Sequence, residues 1–326
     1  MLSYLVRRLL LLIPFSLGVA FVVFALLHVI PGDPAIVLLG EEATAEALAQ
    51  VRTNLGLDQP LPVRFGLYLL DLVRLDLGRS IFRNEAVSTV IAERFAATAE
   101  VALLATLLSV VVGVTLGVVA AVRRGSIVDV GCMLFAQLGV SMPVFWLGIL
   151  LMYLFAVRLA VLPSIGRGEP LVDALLAAAM GNPGVLRTSL AHLAMPVVAL
   201  GLNGAAILSR LVRSSMLETL SADYVRTARA KGLPIRRVVM GHALRNALLP
   251  VISVVGLQFG ALLGGAVLTE GIFGWPGLGQ LAVGAISQRD IPLVQGLVLV
   301  FALMFALVNL AVDVLYVVVD PRVRLR

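Results

Sequence analysis

Six long stretches of apolar residues divide the chain, and each is long enough to cross a lipid bilayer. A crossing helix needs roughly 20 apolar residues, because the hydrocarbon core is about 30 Å thick and a helix rises about 1.5 Å per residue. Every Lys and Arg lies outside the six windows, which supports their boundaries. The pattern predicts an all-α membrane protein, a single transmembrane domain over residues 1–326 with helices at 9–30, 99–122, 131–157, 189–209, 248–270 and 291–319.

Two prolines and two arginines refine this prediction. Pro143 and Pro196 lie inside the third and fourth windows and predict interruptions there. Arg7 and Arg8 precede the first apolar run, as in a signal peptide. That run is 22 residues long, and no small-residue cleavage site follows it, so we interpret it as a retained span.

The composition excludes several other classes of protein. The chain is 60% apolar and 13% charged, with a mean hydropathy of +1.04, whereas soluble domains carry about 25% charged residues. Disorder is excluded because so much apolar surface needs burial. Cys132 is the only cysteine and the three histidines are far apart in sequence, so we predict no disulfide framework, no metal site and no cofactor. The net charge is +6, but no basic stretch is interleaved with aromatic residues, so we predict no nucleic-acid partner.

The distribution of basic residues predicts the orientation. With the N-terminus in the cytoplasm, the inner segments contain 15 of the 25 Lys and Arg residues at about three times the density of the outer segments. Both termini are therefore predicted to be cytoplasmic. We predict the lipid bilayer as one partner of the chain. Basic residues that lie beside anionic lipid account for the pI of about 10.2.

The outer segments contain predicted helices of their own. The long loop 31–98 has a polar helix over 41–54 and a second helix over 62–76, followed by Gly78 and Ser80. The segment 158–188 contains a short helix that Gly181 closes. The loop 31–98 is too long to serve only as a connection.

Glycines four residues apart mark helix faces where backbones can approach closely. They occur in the second window, at Gly113 and Gly117, and in the fifth, at Gly256, Gly260 and Gly264. We favour packing within this chain over contact with a second subunit.

Few polar residues lie deep in the predicted spans, and we find no carboxylate pair or Lys–Asp set among them. This counts against an ion-coupled carrier or gated channel, and the absence of a catalytic pair counts against a membrane enzyme. Asn203 and Gln258 lie near the middle of the fourth and fifth spans. Their amides either line a water-filled path or bond helix to helix.

The inner loop 210–247 carries eight of the basic residues and predicts one short, self-contained helix. Ser221 is a suitable N-cap, Asp223 complements the first turn, Gly232 closes the last turn with a positive φ, and Pro234 prevents continuation. Tyr224, Val225 and Ala228 share one face, which predicts a small apolar patch with a basic rim. Such a helix is suited to a groove on another protein. The alternative is a helix lying on anionic lipid.

Several segments together resemble a known family. The inner loop SADYVRTARAKGLPIRRVVMGHALRNALLP is similar to the EAA loop of ABC-importer permeases of the dipeptide, oligopeptide and nickel type. Further similar segments are PGDPA at 31–35, LGLDQPLPVRF at 55–65, LGRS at 77–80, SMPVFWLG at 141–148, TEGIFGWPGLGQL at 269–281 and NLAVDVLYVVVDPRVR at 309–324. The first acidic position of the EAA pattern is not kept, since TARAKG stands there.

The resemblance implies a type I ABC-importer permease in a prokaryotic cell membrane, without a nucleotide site of its own. It implies as partners a second, related permease, two cytosolic ATPases and an extracytoplasmic binding protein. The helix 222–231 then becomes the coupling helix. Its implied ATPase-contacting residues are Asp223, Tyr224, Val225, Arg226, Ala228, Arg229, Lys231 and Gly232. The implied substrates are peptides, with nickel or glutathione as alternatives within the family.

Overall fold

The computed structural model describes residues 2–29, 36, 43–54 and 58–319, which fold into α-helices and no β-sheet. The longest helices are α1 (Leu2–Val29), α4 (Val87–Val122), α8 (Pro183–Ser221) and α14 (Ile291–Val319). Shorter helices between them are α2 (Ala45–Asn54), α3 (Leu61–Val73), α5 (Ile127–Ser141), α6 (Val144–Arg158, ending in π-helical turns), α7 (Leu171–Ala179), α9 (Asp223–Ala230), α10 (Ile235–Ala247), α11 (Leu249–Leu263), α12 (Val267–Ile272) and α13 (Leu278–Ser287).

Four helices are each long and apolar enough to cross a membrane, namely α1, α4, α8 and α14. Two bent pairs meet the same test when each is taken as one span: α5 with α6, bent by 100°, and α10 with α11, bent by 55°. The described residues thus provide four to six crossings, in agreement with the predicted all-α membrane fold. PGDPA and the C-terminal residues 320–326 lie outside the described residues.

Two helices extend well beyond their predicted windows. Helix α4 begins at Val87 rather than at residue 99, and α8 runs for 39 residues through Pro196 to Ser221. The predicted interruption at Pro196 and the predicted end at 209 were therefore wrong. Buried apolar residues continue along α8 at Val212 and Met216, so packing maintains the helix into the segment that the sequence assigned to a loop.

The predicted interruption at Pro143 is confirmed, because α5 ends at Ser141 and α6 begins at Val144. The fifth window, predicted as one helix over 248–270, is divided between two helices in the structure. Helix α11 ends at Leu263, and Gly265 then takes a φ of +97°, which a helix cannot accommodate. The residues up to 270 form the separate helix α12, which carries a buried carboxylate.

Helices α4 and α8 form the centre of the bundle, and glycines allow their backbones to touch. A Cβ on Gly113 would lie 2.9 Å from the carbonyl oxygen of Ala205, and one on Gly117 would lie 2.7 Å from that of Ser209. The glycines of α11 pack on α14 instead: Gly260 faces Phe305. Gly256 packs against Val312 in the same way, whereas Gly264 ends the helix. These contacts confirm internal packing at the two pairs Gly113–Gly117 and Gly256–Gly260.

Charged side chains mark the two ends of the bundle. Arg8 and Asp313 form an ion pair of 3.1 Å at the end where α1 begins and α14 ends, which we call the inner end. At the opposite, outer end, the buried Asp290 accepts hydrogen bonds from the Ser80 hydroxyl and from the Ile81 amide at 3.2 Å. It also caps the start of α14 through the Leu293 amide. The LGRS segment of the long loop is thereby fixed to the last helix.

The loop helices are near their predicted positions. Helix α2 covers residues 45–54 of the predicted 41–54, of which 41 and 42 lie outside the described residues. Helix α3 begins at Leu61 and ends at Val73, close to the predicted 62–76. Helix α7 ends before Gly181, whose φ of +93° is consistent with the predicted helix stop.

Candidate functional site

The short helix α9 projects from the inner end of α8, and its C-terminus is closed by a Schellman motif. The Gly232 amide donates to the Arg229 carbonyl at 2.9 Å, and the Leu233 amide donates to the Ala228 carbonyl at 3.4 Å. Gly232 has a φ of +74°, as the sequence predicted, and Pro234 follows. This pairing satisfies carbonyls that a helix end otherwise leaves without a donor.

The predicted N-cap of this helix was wrong. The N-cap is Ala222, and the Ser221 hydroxyl instead donates back to the Glu218 carbonyl within α8. Ser221 is the last helical residue of α8, so it cannot also cap the start of α9. Asp223 lies in the first turn, where its charge favours the helix dipole, and it pairs with Arg226.

The apolar face of α9 packs on its own loop, which corrects the prediction that it is free to enter a groove on a partner. Val225 is fully buried and Ala228 is 7% exposed, both in a small cluster with Val238. Leu220 and Leu233 complete this cluster. Of the predicted face, Val225 and Ala228 are buried and Tyr224 is exposed, and the sequence could not show that residues of the same loop would cover the first two.

The opposite face of α9 is free. Asp223, Thr227 and Ala230 follow one another at helical spacing and are exposed, as are Arg226, Arg229 and Lys231. Tyr224 lies between the two faces, and its hydroxyl accepts a hydrogen bond of 2.9 Å from the amide of Asn246. The loop therefore presents a small polar surface with basic side chains around it, and it is held in place by contacts within this chain.

A bidentate ion pair fixes the base of this loop to the bundle. The Asp129 carboxylate, at the start of α5, accepts from Arg213 of α8 at 2.7 Å and 2.8 Å. It also accepts from the Gly125 amide at 2.9 Å. Arg213 lies two turns before the end of α8, so the pair links α5 to the helix that carries α9. Sequence reasoning missed this pair, because its partners are 84 residues apart.

Asn203 and Gln258 line the same open cavity, although they come from different helices. The cavity has a volume of about 400 Å³ and lies between α8 and α11. Asn203 donates to the Gly139 carbonyl at 3.1 Å, whereas the buried Nε2 of Gln258 has no hydrogen-bond partner among the described residues. The lining also contains the hydroxyl side chains of Ser109 and Thr269, and the described residues that form it include no Lys, Arg, Asp or Glu.

A buried carboxylate lies at the outer end, next to this cavity. Glu270 is 4% exposed and accepts from the Thr98 hydroxyl at 2.9 Å and from the Gln280 amide at 2.9 Å. The Thr98 oxygen in turn accepts from the Leu278 amide at 2.8 Å. Glu270 therefore holds the N-terminus of α13 against α4. Any side chain on Gly277 would meet this carboxylate, which explains a glycine there.

A second carboxylate extends this outer cluster. Glu100 of α4 pairs with Arg167 at 2.7 Å and accepts from the Leu171 amide at 2.8 Å. Arg167 lies over the ring of Trp275, whose indole N–H donates to the Ala97 carbonyl at 2.8 Å. Sequence reasoning missed both acids, although it had a signal for them, because Glu100 and Glu270 each fall inside an apolar window.

These features define a multi-pass membrane protein with an open cavity between α8 and α11 and an exposed inner loop. The chain belongs to the family of binding-protein-dependent transport system inner membrane components. The sequence model of that family matches residues 113–325, and the model of its N-terminal region matches residues 1–102. The resemblance inferred from sequence motifs is thereby confirmed.

Relatives match the chain over its full length. The dipeptide transport system permease DppB of Alkalihalophilus pseudofirmus is 44% identical over 99% of this chain and 100% of the relative. DppB of Escherichia coli K12 is 44% identical over 99% of both chains. The glutathione transport system permease GsiC of Salmonella typhi is 43% identical over 99% of both.

A solved structure supports the fold. A chain of the MetNI methionine ABC transporter aligns with a TM-score of 0.52 and 17% identity, covering 72% of this chain and 97% of that one. Its membership of the family makes the chain a permease subunit of an ABC importer, in a complex with an ATPase and a substrate-binding protein. It is not itself an enzyme, since separate subunits hydrolyse the ATP.

Proposed function

We propose that this chain forms half of the translocation path of an importer for di- and oligopeptides. The observation that carries the proposal is the open cavity between α8 and α11, whose polar lining consists of amides and hydroxyls without a formal charge. A peptide carries amide groups and charges of both signs. A neutral lining can solvate the amides without trapping either charge, because a fixed charge of one sign would hold its counterpart strongly at this depth.

The full-length similarity to dipeptide permeases supports the same substrate class. Glutathione, itself a modified tripeptide, is the alternative that a relative's name raises. The test is uptake of a labelled dipeptide into vesicles containing the complete transporter, with an excess of unlabelled dipeptide, glutathione or a nickel complex as competitor. Competition by dipeptides alone supports the proposal, and competition by glutathione alone or by a nickel complex alone overturns it.

The path itself is tested at Asn203 and Gln258. Each is replaced by Cys in a Cys132→Ser background, and a small water-soluble thiol reagent is applied with and without ATP. We expect both positions to react, and faster during turnover. Leu107, an exposed apolar residue of α4 that does not line this cavity, serves as the matched control and should stay unreactive. If both amide positions stay unreactive in every nucleotide state, they pack rather than line a path.

We further propose that α9 docks on an ATPase subunit through its exposed face, with Thr227 and Ala230 at the contact. Ala230→Trp adds a large side chain to this face without disturbing the buried cluster beneath it. We expect it to abolish substrate-stimulated ATP hydrolysis while the chain still enters the membrane. Ala230→Ser is the control and should be active. Normal stimulation in the Trp variant would contradict docking through this face.

In this arrangement a second, related permease completes the path, two ATPases bind the inner ends, and both termini are cytoplasmic. The basic residues at the inner end support the orientation. Single cysteines at the exposed Arg83 and Ser221 test it on intact cells. An impermeant thiol reagent should label Arg83→Cys and not Ser221→Cys. Ser80, which the sequence alone would suggest for labelling, is buried against Asp290 and is unsuitable.

A further inference from the structure

Helix α3, in the long loop between the first two spans, is apolar on two opposite sides. On one side Phe65 and Tyr68 contact α1: the Phe65 ring lies 5.6 Å from Phe21 and 5.2 Å from Phe24, and Tyr68 lies 6.0 Å from Phe24. The other side carries Val63, Leu67 and Leu70, which are 47–49% exposed. An apolar helix face is normally buried in protein or in lipid, so the second side needs a partner.

The charged residues of α3 occupy one edge between these two sides. Arg64 and Asp71 are seven residues apart and therefore lie almost in line along the helix. The opposite edge carries Gly66 and Val73 and no charge. The helix thus has three uncharged quadrants and one charged quadrant, the pattern of an element that lies at a boundary between lipid and water.

The contacts with α1 set the depth of α3. The Arg8–Asp313 pair marks the inner boundary of the hydrocarbon region, because charges are costly inside it. Phe21 and Phe24 lie 13 and 16 residues further along α1, or about 20–24 Å towards the outer end. The hydrocarbon core is about 30 Å thick, so α3 contacts α1 about 6–10 Å inside the outer boundary.

Helix α14 is long enough to cross this hydrocarbon core. Asp290 caps its outer end and Asp313 lies near its inner end, about 34 Å apart at 1.5 Å per residue. The two acidic residues therefore bracket one bilayer. The depth of α3 agrees with the 5–10 Å at which interfacial helices typically sit below the boundary.

We propose that α3 is an interfacial helix embedded in the membrane leaflet opposite the termini. Val63, Leu67 and Leu70 contact lipid acyl chains, and the Arg64–Asp71 edge faces the headgroups and water. The depth favours lipid over a soluble binding protein, because a soluble partner cannot reach below the headgroups. The helix would anchor the long loop at the outer end, beside the Ser80–Asp290 contact.

The test places a nitroxide label on Cys at Leu67 or Asp71, one label at a time, in a Cys132→Ser chain in lipid nanodiscs. Collision with oxygen reports lipid exposure, and collision with a water-soluble nickel chelate reports water exposure. Labels at Leu107 and Arg83 provide the lipid and water references. We expect Leu67 to resemble Leu107 and Asp71 to resemble Arg83, in the chain alone and in the complete transporter.

Two results would overturn the proposal. Access of the nickel chelate to Leu67 would place this side of α3 in water. Loss of access to both reagents when the partner subunits are added would mean that protein, and not lipid, covers it. Both results are independent of substrate uptake, so the proposal can fail while the proposed transport function stands.

Discussion

The closure of α9 at Gly232 gives a prediction whose magnitude follows from the geometry. Gly232 has a φ of +74°, and a Cβ placed there would meet no atom within 4 Å. A substitution therefore tests backbone strain without steric overlap. A Cβ in the left-handed region costs about 1–2 kcal/mol, most for a branched side chain and least for Asn. We expect Gly232→Asn to be nearly neutral, Gly232→Ala to be intermediate and Gly232→Val to be the most damaging.

A cost of about 1–2 kcal/mol lowers the population of the closed helix end by a factor of about 5–30. The direct assay is amide hydrogen exchange in the segment 229–234, where the Gly232 and Leu233 amides donate the closing bonds. Substrate-stimulated ATP hydrolysis, measured in parallel in the complete transporter, should fall in the same order as the exchange protection.

Gly241 provides the matched control for this series. It lies on the same loop and is exposed, and a Cβ added to it would also meet no atom within 4 Å, but its φ is not positive. Gly241→Val should leave both exchange and ATP hydrolysis close to those of the parent chain. Equal effects of Gly232→Val and Gly241→Val, or unchanged exchange at 229–234 in the former, would refute the strain argument.

Three further changes test the contacts that hold the sites in place. Asp129→Asn should lower the free energy of unfolding by about 1–3 kcal/mol, since Arg213 loses a charged partner, and a lower melting temperature in detergent would show it. Glu270→Gln replaces the carboxylate that accepts hydrogen bonds from Thr98 and Gln280 with an amide, which accepts less well. We expect a similar loss of unfolding free energy and weaker uptake. Full stability would contradict the role of Glu270 in capping the start of α13. Gly117→Ala should destabilise the α4–α8 contact by about 1–3 kcal/mol, whereas Gly131→Ala, at an open position, should be neutral or stabilising.

Residues that start and stop a helix explain how much of the inner loop the sequence could predict. Asp223, Gly232 and Pro234 specify a helix start, a positive φ and a stop within one short segment, and the structure contains that helix. The orientation of the helix was not predictable in the same way. It depends on Val238 and Leu220 meeting Val225, which is a tertiary contact rather than a periodic pattern.

The membrane region shows the same division between local and long-range information. Hydropathy placed the apolar helices, and Pro143 predicted the break between α5 and α6. Hydropathy could not predict that α8 continues through Pro196, because residues on both sides of it, Leu193 and Val197, pack in one cluster with Ala97 and Val101 of α4. Nor could it reveal that Thr98 and Glu270, 172 residues apart in the chain, form one buried hydrogen bond.

The most direct test of the account is the energy source of uptake. The chain is reconstituted with its partner subunits in vesicles, and accumulation of a labelled dipeptide is measured with ATP alone and with an ion gradient alone. The account predicts accumulation that requires ATP and the binding protein, and that Ala230→Trp abolishes. Accumulation driven by an ion gradient without ATP, or ATP-driven uptake that persists in Ala230→Trp, would contradict it.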